Sequence, residues 1–463
     1  MCRRAGPPAR GEGSHQAARW GTVGYKKEQE KAIRARAHRS SQGTSPLLLQ
    51  PTSSSSSPRT MAPVSGTCQA RFSAVRTLLQ AKIDADEELG ASLVVNVGGT
   101  NVVDLWGGWG DAAKSTPWGE DTITNVWSSS KTVVSLAALL LIDRGLLDPF
   151  EKVATYWPAF GANGKHAVEV RHLLSHSSGV SGWEGPITAQ EVCDLAAATE
   201  RLEAQAPWWT PGTQSGYHSL TMGHLVDGLT RRVAGGKSLA EFVREELAEP
   251  LGADFRFGVP QEDYHRVAEI IPPPAPPADW KPPAPPAGVD PATTVVAKTL
   301  MNPVMDATVA NKDYWRAAVV PAANGFTHAR GIGRLLSFVS CKGTVGEKTL
   351  LKPETVDLIF KEQTRGPDLV LSSNMVTGIG FGLNGVGVEG GVGHWVPEGQ
   401  ICFWGGWGGS MVICDVGRGV TITYMMNKMS NAGLGSGNAK EYVWEIYRAL
   451  GVAIPGEEQA TKA

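Results

Sequence analysis

Residues 128–142 read SSSKTVVSLAALLLI, three serines and a lysine that open an unbroken apolar run. Serine is a weak nucleophile until a neighbouring base takes its proton. In a helix that starts near Ser128, the residue three places on lies on the same face, so Lys131 can reach the Ser128 hydroxyl. The first turn also points backbone N–H groups and a positive dipole at that hydroxyl, which helps to hold a developing oxyanion. The apolar continuation buries the lysine stem and favours the neutral amine that a base requires. By itself S-x-x-K recurs by chance, and in this serine-rich register Ser129 or Ser130 serve equally well as helix caps. Context has to decide.

Two further segments supply that context. Tyr217-His218-Ser219 follows the loop residues Pro211-Gly212-Thr213 and precedes a helical pattern opened by Thr221. A phenol on such a loop relays a proton to a leaving group when a nearby cation stabilises its phenolate. A purely structural tyrosine is the plainer alternative. Trp404-Gly405-Gly406-Trp407-Gly408-Gly409-Ser410 lies between two strand patterns. Its glycines leave the edge backbone open to a ligand, and an N–H there would complete an oxyanion hole with that of Ser128. A glycine turn joining two strands is the alternative.

The chain of 463 residues is 42% hydrophobic and 19% charged, an ordinary globular balance. Its formal net charge of −2 argues against nucleic acid or an anionic membrane as the main partner. The six cysteines form no CxxC pair, which speaks against a zinc site or a disulfide scaffold and for a cytosolic or organellar compartment. Cys402 and Cys414 can face each other across a hairpin and are read as two reduced core thiols. The run 133–142 is about half of what a bilayer needs, so no membrane span is expected. The first residues lack the apolar region of a secretory signal.

Residues 1–66 are read as a disordered basic leader. The first sixty hold eleven Lys and Arg against three Glu and a serine run at 53–57, a composition that cannot offset its ordering entropy. Organellar targeting and a true start at Met61 are the competing readings. Residues 67–455 form the folded unit and 456–463 a tail. The unit opens with an amphipathic helix over 69–86, followed by strands at 93–97 and 102–106 joined through Gly98-Gly99-Thr100-Asn101. Helical patterns dominate to about residue 267, clearest at 136–147, 189–198 and 222–247. A Pro/Ala-rich stretch at 272–291, with Trp280 in it, blocks helix and ladder alike; it is an inert excursion or a substrate-gating lid. Strands are expected at 377–383, 391–395, 400–403, 411–415 and 420–425, and a closing helix at 439–450. This pattern predicts an α/β (α+β) unit: a sheet flanked by helices from both chain ends, with a mostly helical subdomain at about 140–330.

Taken together, the three segments resemble the serine β-lactamase and penicillin-binding-protein superfamily, with an antiparallel sheet. The likeness is greatest to class C-like enzymes and family VIII carboxylesterases, and it covers roughly residues 70–450. Gly145-Leu146-Leu147-Asp148-Pro149 through Tyr156-Trp157-Pro158 matches the stretch after the nucleophile helix. Arg171-His172-Leu173-Leu174-Ser175-His176-Ser177-Ser178-Gly179 looks like the family's HLLTHTSG block, and Pro250-Leu251-Gly252-Ala253 and Ala323-Asn324-Gly325 also fit.

The resemblance implies that Ser128 is acylated, that Lys131 is its general-base partner and that Tyr217 relays a proton. Trp404-Gly405-Gly406 occupies the place of the KTG-like strand, and Trp407 would supply the second oxyanion N–H. Lys or His at the position of Trp404 binds a substrate carboxylate in β-lactam-recognising members, and Ser219 stands where they usually carry Asn. Both departures favour neutral esters. No metal or other cofactor is expected: His172 and His176 stand at i,i+4, but no Glu lies between them as a metalloprotease helix needs. The expected partner is a small-molecule ester or acyl donor. A carboxylesterase is the leading reading, followed by an acyltransferase on the same acyl-enzyme, a β-lactamase or D-amino-acid peptidase, and an idle scaffold.

Overall fold

The computed structural model describes residues 62–275, 288–385, 392–431 and 433–455. The leader up to residue 61, the central part of the proline-rich stretch (276–287, including Trp280) and the tail lie outside the described residues.

Among the described residues nine strands form one antiparallel sheet. Its spatial order is β1 (Ser65–Cys68), β3 (Thr100–Gly108), β2 (Gly90–Val97), β14 (Val420–Met426), β13 (Met411–Asp415), β12 (Ile401–Gly405), β11 (Gly382–Leu383), β10 (Asn374–Thr377) and β9 (Thr364–Pro367). β1 pairs with β3 from Ser65 onward, just ahead of residue 67, where the folded unit is expected to start. The β2–β3 hairpin is tighter than expected, because Val97 pairs directly with Thr100. Gly98 and Gly99 alone make the turn, with φ of +56° and +86°, the doubly left-handed geometry that two-residue hairpins select glycine for.

Strand β14 (VTITYMM), between β2 and β13, is buried along its whole length. Neighbouring side chains in a strand point to opposite faces. Thr423 donates its hydroxyl to the carbonyl of Ala329, the first residue of helix Ala329–Ser340, at 2.8 Å. Tyr424 stacks on Tyr442 of helix Gly437–Ala449 with ring centroids 5.2 Å apart. Those two helices therefore cover opposite faces of the sheet. Helix α1 (Ser73–Asp84) packs beside the C-terminal one, so helices from both chain ends share one face. In chain order the remaining long helices are α2 (Ser130–Asp143), α3 (Thr221–Val233), α4 (Ala329–Ser340) and α5 (Gly437–Ala449).

α2 packs against α3, α4 and the sheet at β12, and residues 130–141 are all buried. A helix apolar all round has to lie in the interior, which accounts for the run at 133–142. Among the described residues no helix is long and apolar enough to cross a membrane. A second sheet, in the order β4 (Thr124–Asn125), β6 (Gly325–Thr327), β5 (Phe255–Phe257), holds the chain just ahead of α2. A two-stranded hairpin, β7 (Thr344–Val345) with β8 (Lys348–Thr349), completes the strands described.

Four expected elements differ. The helix at 222–247 is broken after α3 by Gly235 and Gly236, with φ of +67° and +87°, which a right-handed helix cannot hold. The pattern at 189–198 divides at Asp194, whose carboxylate caps the next helix by accepting from the Ala197 N–H. The strand expected at 377–383 is the turn between β10 and β11, closed by Gly378 N–H donating to the Phe381 carbonyl at 2.9 Å. The strand expected at 391–395 is a 3-10 turn at Val392–His394. Cys402 and Cys414 are cross-strand partners in β12 and β13, both buried and both free thiols.

Candidate active site

The segment before α2 does not begin as regular helix. The N–H of Lys131 donates to the Ser128 carbonyl at 3.0 Å, and that of Ser129 to Val126 at 3.1 Å, so Ser128 sits in a tight turn of i,i+3 bonds ahead of the helix. Trp127, directly before it, has φ of +47°, a left-handed conformation unusual for a bulky side chain. It is held there by two rings, Trp407 at 5.1 Å and Trp315 at 5.9 Å between centroids, and by a bridge to Asn324 beside β6. Strain of this sort persists only where its surroundings over-determine it.

Lys131 is 1% exposed. Its Nζ lies 2.7 Å from the Ser219 carbonyl, 2.9 Å from the Ala322 carbonyl, 2.9 Å from the Tyr217 hydroxyl and 3.0 Å from the Ser128 hydroxyl. Carbonyl oxygens can only accept. A neutral amine has two N–H and one lone pair; with both N–H given to the carbonyls, the lone pair can accept from one of the two hydroxyls, which are themselves hydrogen-bonded to each other. Burial holds the amine well below its ordinary pKa, and no carboxylate touches it among the described residues to oppose this. The neutral form fits both the chemistry and the geometry.

Tyr217 is also buried, and its hydroxyl is hydrogen-bonded to that of Ser128 as well as to Lys131. Burial pushes its phenol above the ordinary range; the Ser128 hydroxyl and the Trp404 indole N–H partly oppose this, and Asp368 adds to it. At rest Tyr217 is therefore a protonated donor. Its loop is anchored by Asp368, whose Oδ1 accepts the backbone N–H of Tyr217 at 3.1 Å and of Val370 and Leu371 at 2.8 Å. Oδ2 accepts the Ser215 hydroxyl at 2.5 Å. His176 lies edge-on to Tyr217 at 5.2 Å and tilted over Trp404 at 5.0 Å between centroids. Its Nδ1 accepts the N–H of His218, and burial with the nearby His218 and Lys131 keeps it neutral. His218 donates through Nδ1 to the Gly216 carbonyl and accepts the Ser178 hydroxyl on Nε2; burial lowers its pKa to about 4.

Ser128 and Tyr217 open into a cavity of about 350 Å³ whose wall includes Trp127, Ser219, Leu220, Leu300, Pro303, Met305, Leu371, Trp404, Trp407 and Leu434. No acidic or basic side chain lines it among the described residues. Trp404 packs on Tyr217 at 5.6 Å. Its Nε1 is buried and makes no hydrogen bond among the described residues, although it lies close enough to favour the phenolate of Tyr217. On the turn after β12, the Gly406 N–H donates to the Ser410 carbonyl at 2.8 Å. Among the described residues no backbone hydrogen bond takes the N–H of Ser128 or of Trp407, and both residues line the cavity. A Cβ on Gly406 would come 2.3 Å from both the Ser410 Oγ and the Val126 carbonyl, so only glycine permits this approach of the turn to Ser128.

The family model described as Beta-lactamase matches residues 75–442. The chain belongs to the beta-lactamase family. It is 33% identical over 369 residues to Esterase/beta-lactamase LipL of Mycobacterium tuberculosis, covering 79% of this chain and 83% of that protein. A solved family VIII carboxylesterase superposes with a TM-score of 0.76 at 32% identity, over 83% of this chain and 99% of that one. A penicillin-binding-protein homologue from Caulobacter crescentus superposes at 0.75 and 33% identity, again over 83% and 99%. With this fold and these relatives, this beta-lactamase-family chain is a serine hydrolase with esterase-type activity.

The residues singled out in the sequence meet in one place: Ser128, Lys131 and Tyr217 through mutual hydrogen bonds, Trp404, Gly405, Gly406 and Trp407 on the wall. His172 and His176 do not converge. His172 Nδ1 accepts the Glu169 N–H within a capping box, whereas His176 faces Tyr217. Sequence reasoning passed over Asp368, Ser410 and the position of His176. Only Asp368 carried a local signal, the turn dipeptide Pro367-Asp368.

Proposed function

We propose that this serine hydrolase cleaves small neutral carboxylic esters by way of an acyl-enzyme on Ser128. One observation supports the reading: a buried lysine amine within hydrogen-bond reach of both a serine and a tyrosine hydroxyl, at the end of a cavity without charged lining among the described residues. Neutral Lys131 takes the Ser128 proton as Oγ bonds to the ester carbonyl carbon. The carbonyl oxygen becomes the oxyanion, facing the N–H groups of Ser128 and Trp407. As the ester C–O bond breaks, the leaving alkoxide takes the Tyr217 proton, and Tyr217 is reloaded from Lys131. Water then repeats the sequence on the acyl-enzyme and releases the acid. Trp404 supports neutral substrates, since an indole cannot pair with a carboxylate as Lys does.

Turnover of short-chain aryl esters by the wild type and Ser128→Ala tests the reading. Loss of turnover in the variant, together with fluorophosphonate labelling of the wild type at Ser128, is expected; equal rates, or an unlabelled Ser128, overturn it. Nitrocefin should not be hydrolysed. Product analysis with an added alcohol tells transfer of the same acyl group from its hydrolysis.

A further inference from the structure

The two most exposed large apolar side chains among the described residues are Val304 and Met301, 67% and 60% exposed. Along the chain they alternate with Leu300, Pro303 and Met305, which line the cavity. Leu300 does both, lining the cavity while 41% exposed, so the apolar wall continues onto the outer surface. Met301 and Val304 are antiparallel bridge partners, which sets their side chains on one side of the turn. The turn is pinned from below by Asn302. Its Nδ2 donates to the carbonyls of Trp183 at 3.0 Å and Gly185 at 2.8 Å, and its Oδ1 accepts the Ile187 N–H at 2.9 Å. With Asn302 saturated inward, the loop cannot roll over to hide its apolar tip.

Single exposed apolar residues need no explanation, but a cluster contiguous with a binding cavity does. Charge indicates what covers it. Residues 299–305 read TLMNPVM, without a charged residue; on one flank Lys298 is paired with Glu184 at 2.8 Å, and on the other the exposed Asp306 carboxylate accepts the Thr308 N–H and hydroxyl. Such a rim matches an uncharged apolar phase and offers nothing to an anionic one.

We propose that residues 300–305 dock onto the surface of a neutral lipid aggregate. Docking sets the cavity mouth against that surface, so that an ester passes into the cavity without its acyl chain crossing water. This deepens, and rests on, the reading of the site as one for neutral esters.

Surface binding is read by co-sedimentation of the full-length Ser128→Ala chain with phosphatidylcholine vesicles, with and without phosphatidylserine. Met301→Asp and Val304→Asp in that background should each weaken binding about tenfold, the equivalent of one lost side-chain burial. The binding should be insensitive to salt and unchanged by phosphatidylserine. In the Ser128 background both variants should turn over a water-soluble short-chain aryl ester at the unmodified rate. The proposal is overturned if Ser128→Ala stays in the supernatant, if the Asp variants bind equally well, or if binding requires phosphatidylserine. Two other occupants would also overturn it: a second copy, if the Asp variants convert a dimer to a monomer by sedimentation velocity, and residues 276–287, if binding appears only after their deletion. Absent turnover of the soluble ester would count against the catalytic reading alone, because binding is measured in a chain lacking the nucleophile.

Discussion

Ser410 Oγ lies 2.9 Å from Ser129 Oγ and 3.1 Å from the Val126 carbonyl. It donates to the carbonyl and accepts from Ser129, so one hydroxyl ties the turn after β12 to the turn that carries Ser128. That tie sets the span between the N–H groups of Ser128 and Trp407. Ser410→Ala should lower kcat about tenfold with little change in KM, because the span matters most in the transition state. Affinity for a phosphonate mimic should fall in parallel. An unchanged kcat would show that the hydroxyl does not set the span.

In the proposed mechanism Lys131 acts as a neutral amine, and burial lowers its pKa well below 10.5. The ester rate should therefore rise with pH through that lowered value and level off before the ordinary lysine range. Lys131→Arg keeps a charge at all accessible pH and should cost about a hundredfold or more, which steady-state kinetics would show. The linked stability has the same sign. Between the lowered pKa and 10.5 the unfolded chain binds the extra proton, so stability rises with pH across that window.

Asp368 holds Tyr217 without touching substrate. Asp368→Asn replaces a carboxylate that accepts three N–H groups and a hydroxyl by a weaker acceptor. A loss of about 2 kcal/mol in stability is expected, together with a larger fall in kcat than in substrate affinity. Denaturant melts and the split of kcat from KM would check both; a fall in stability with unchanged kcat would leave Asp368 a purely structural anchor.

Far from the site, Glu88 is buried beneath α5 and accepts from Tyr424, Tyr442 and Asn438 on one oxygen, while the other has no partner among the described residues. Burial raises its pKa from 4.5 to about 7. A raised carboxyl favours folding when protonated: its contribution is complete below 4.5 and is lost as pH rises to about 7. The loss is on the order of 3 kcal/mol. Glu88→Gln should flatten stability against pH across that window and leave ester turnover untouched. A slope as steep as that of the wild type would rule Glu88 out as its source.

How much of this was readable follows from the range of each interaction. Ser128 and Lys131 are three residues apart, so local spacing alone puts them within reach. The buried α2, the glycine turn at 405–409 and the apolar and β-branched runs of β2, β13 and β14 are likewise short-range patterns. Two misjudged elements, the helix at 222–247 and the strand at 377–383, failed where glycine conformation overrode apolar periodicity. The strand expected at 391–395 has no such explanation in these terms.

Side-chain chemistry along the chain pointed to Ser128 and Lys131 as candidate nucleophile and amine, to the central helix, and to a sheet flanked by helices from both ends of the folded unit. It could not specify that Tyr217 stands over Lys131, that Asp368 anchors Tyr217 from 151 positions away, or that Ser410 reaches Ser129 across 281. Those meetings depend on strand register and on how α2 seats against the sheet, and register is chosen by the packing of the whole core rather than by any local run. The surroundings of the Lys131 amine were decided there too, by the carbonyls of Ser219 and Ala322 from distant segments.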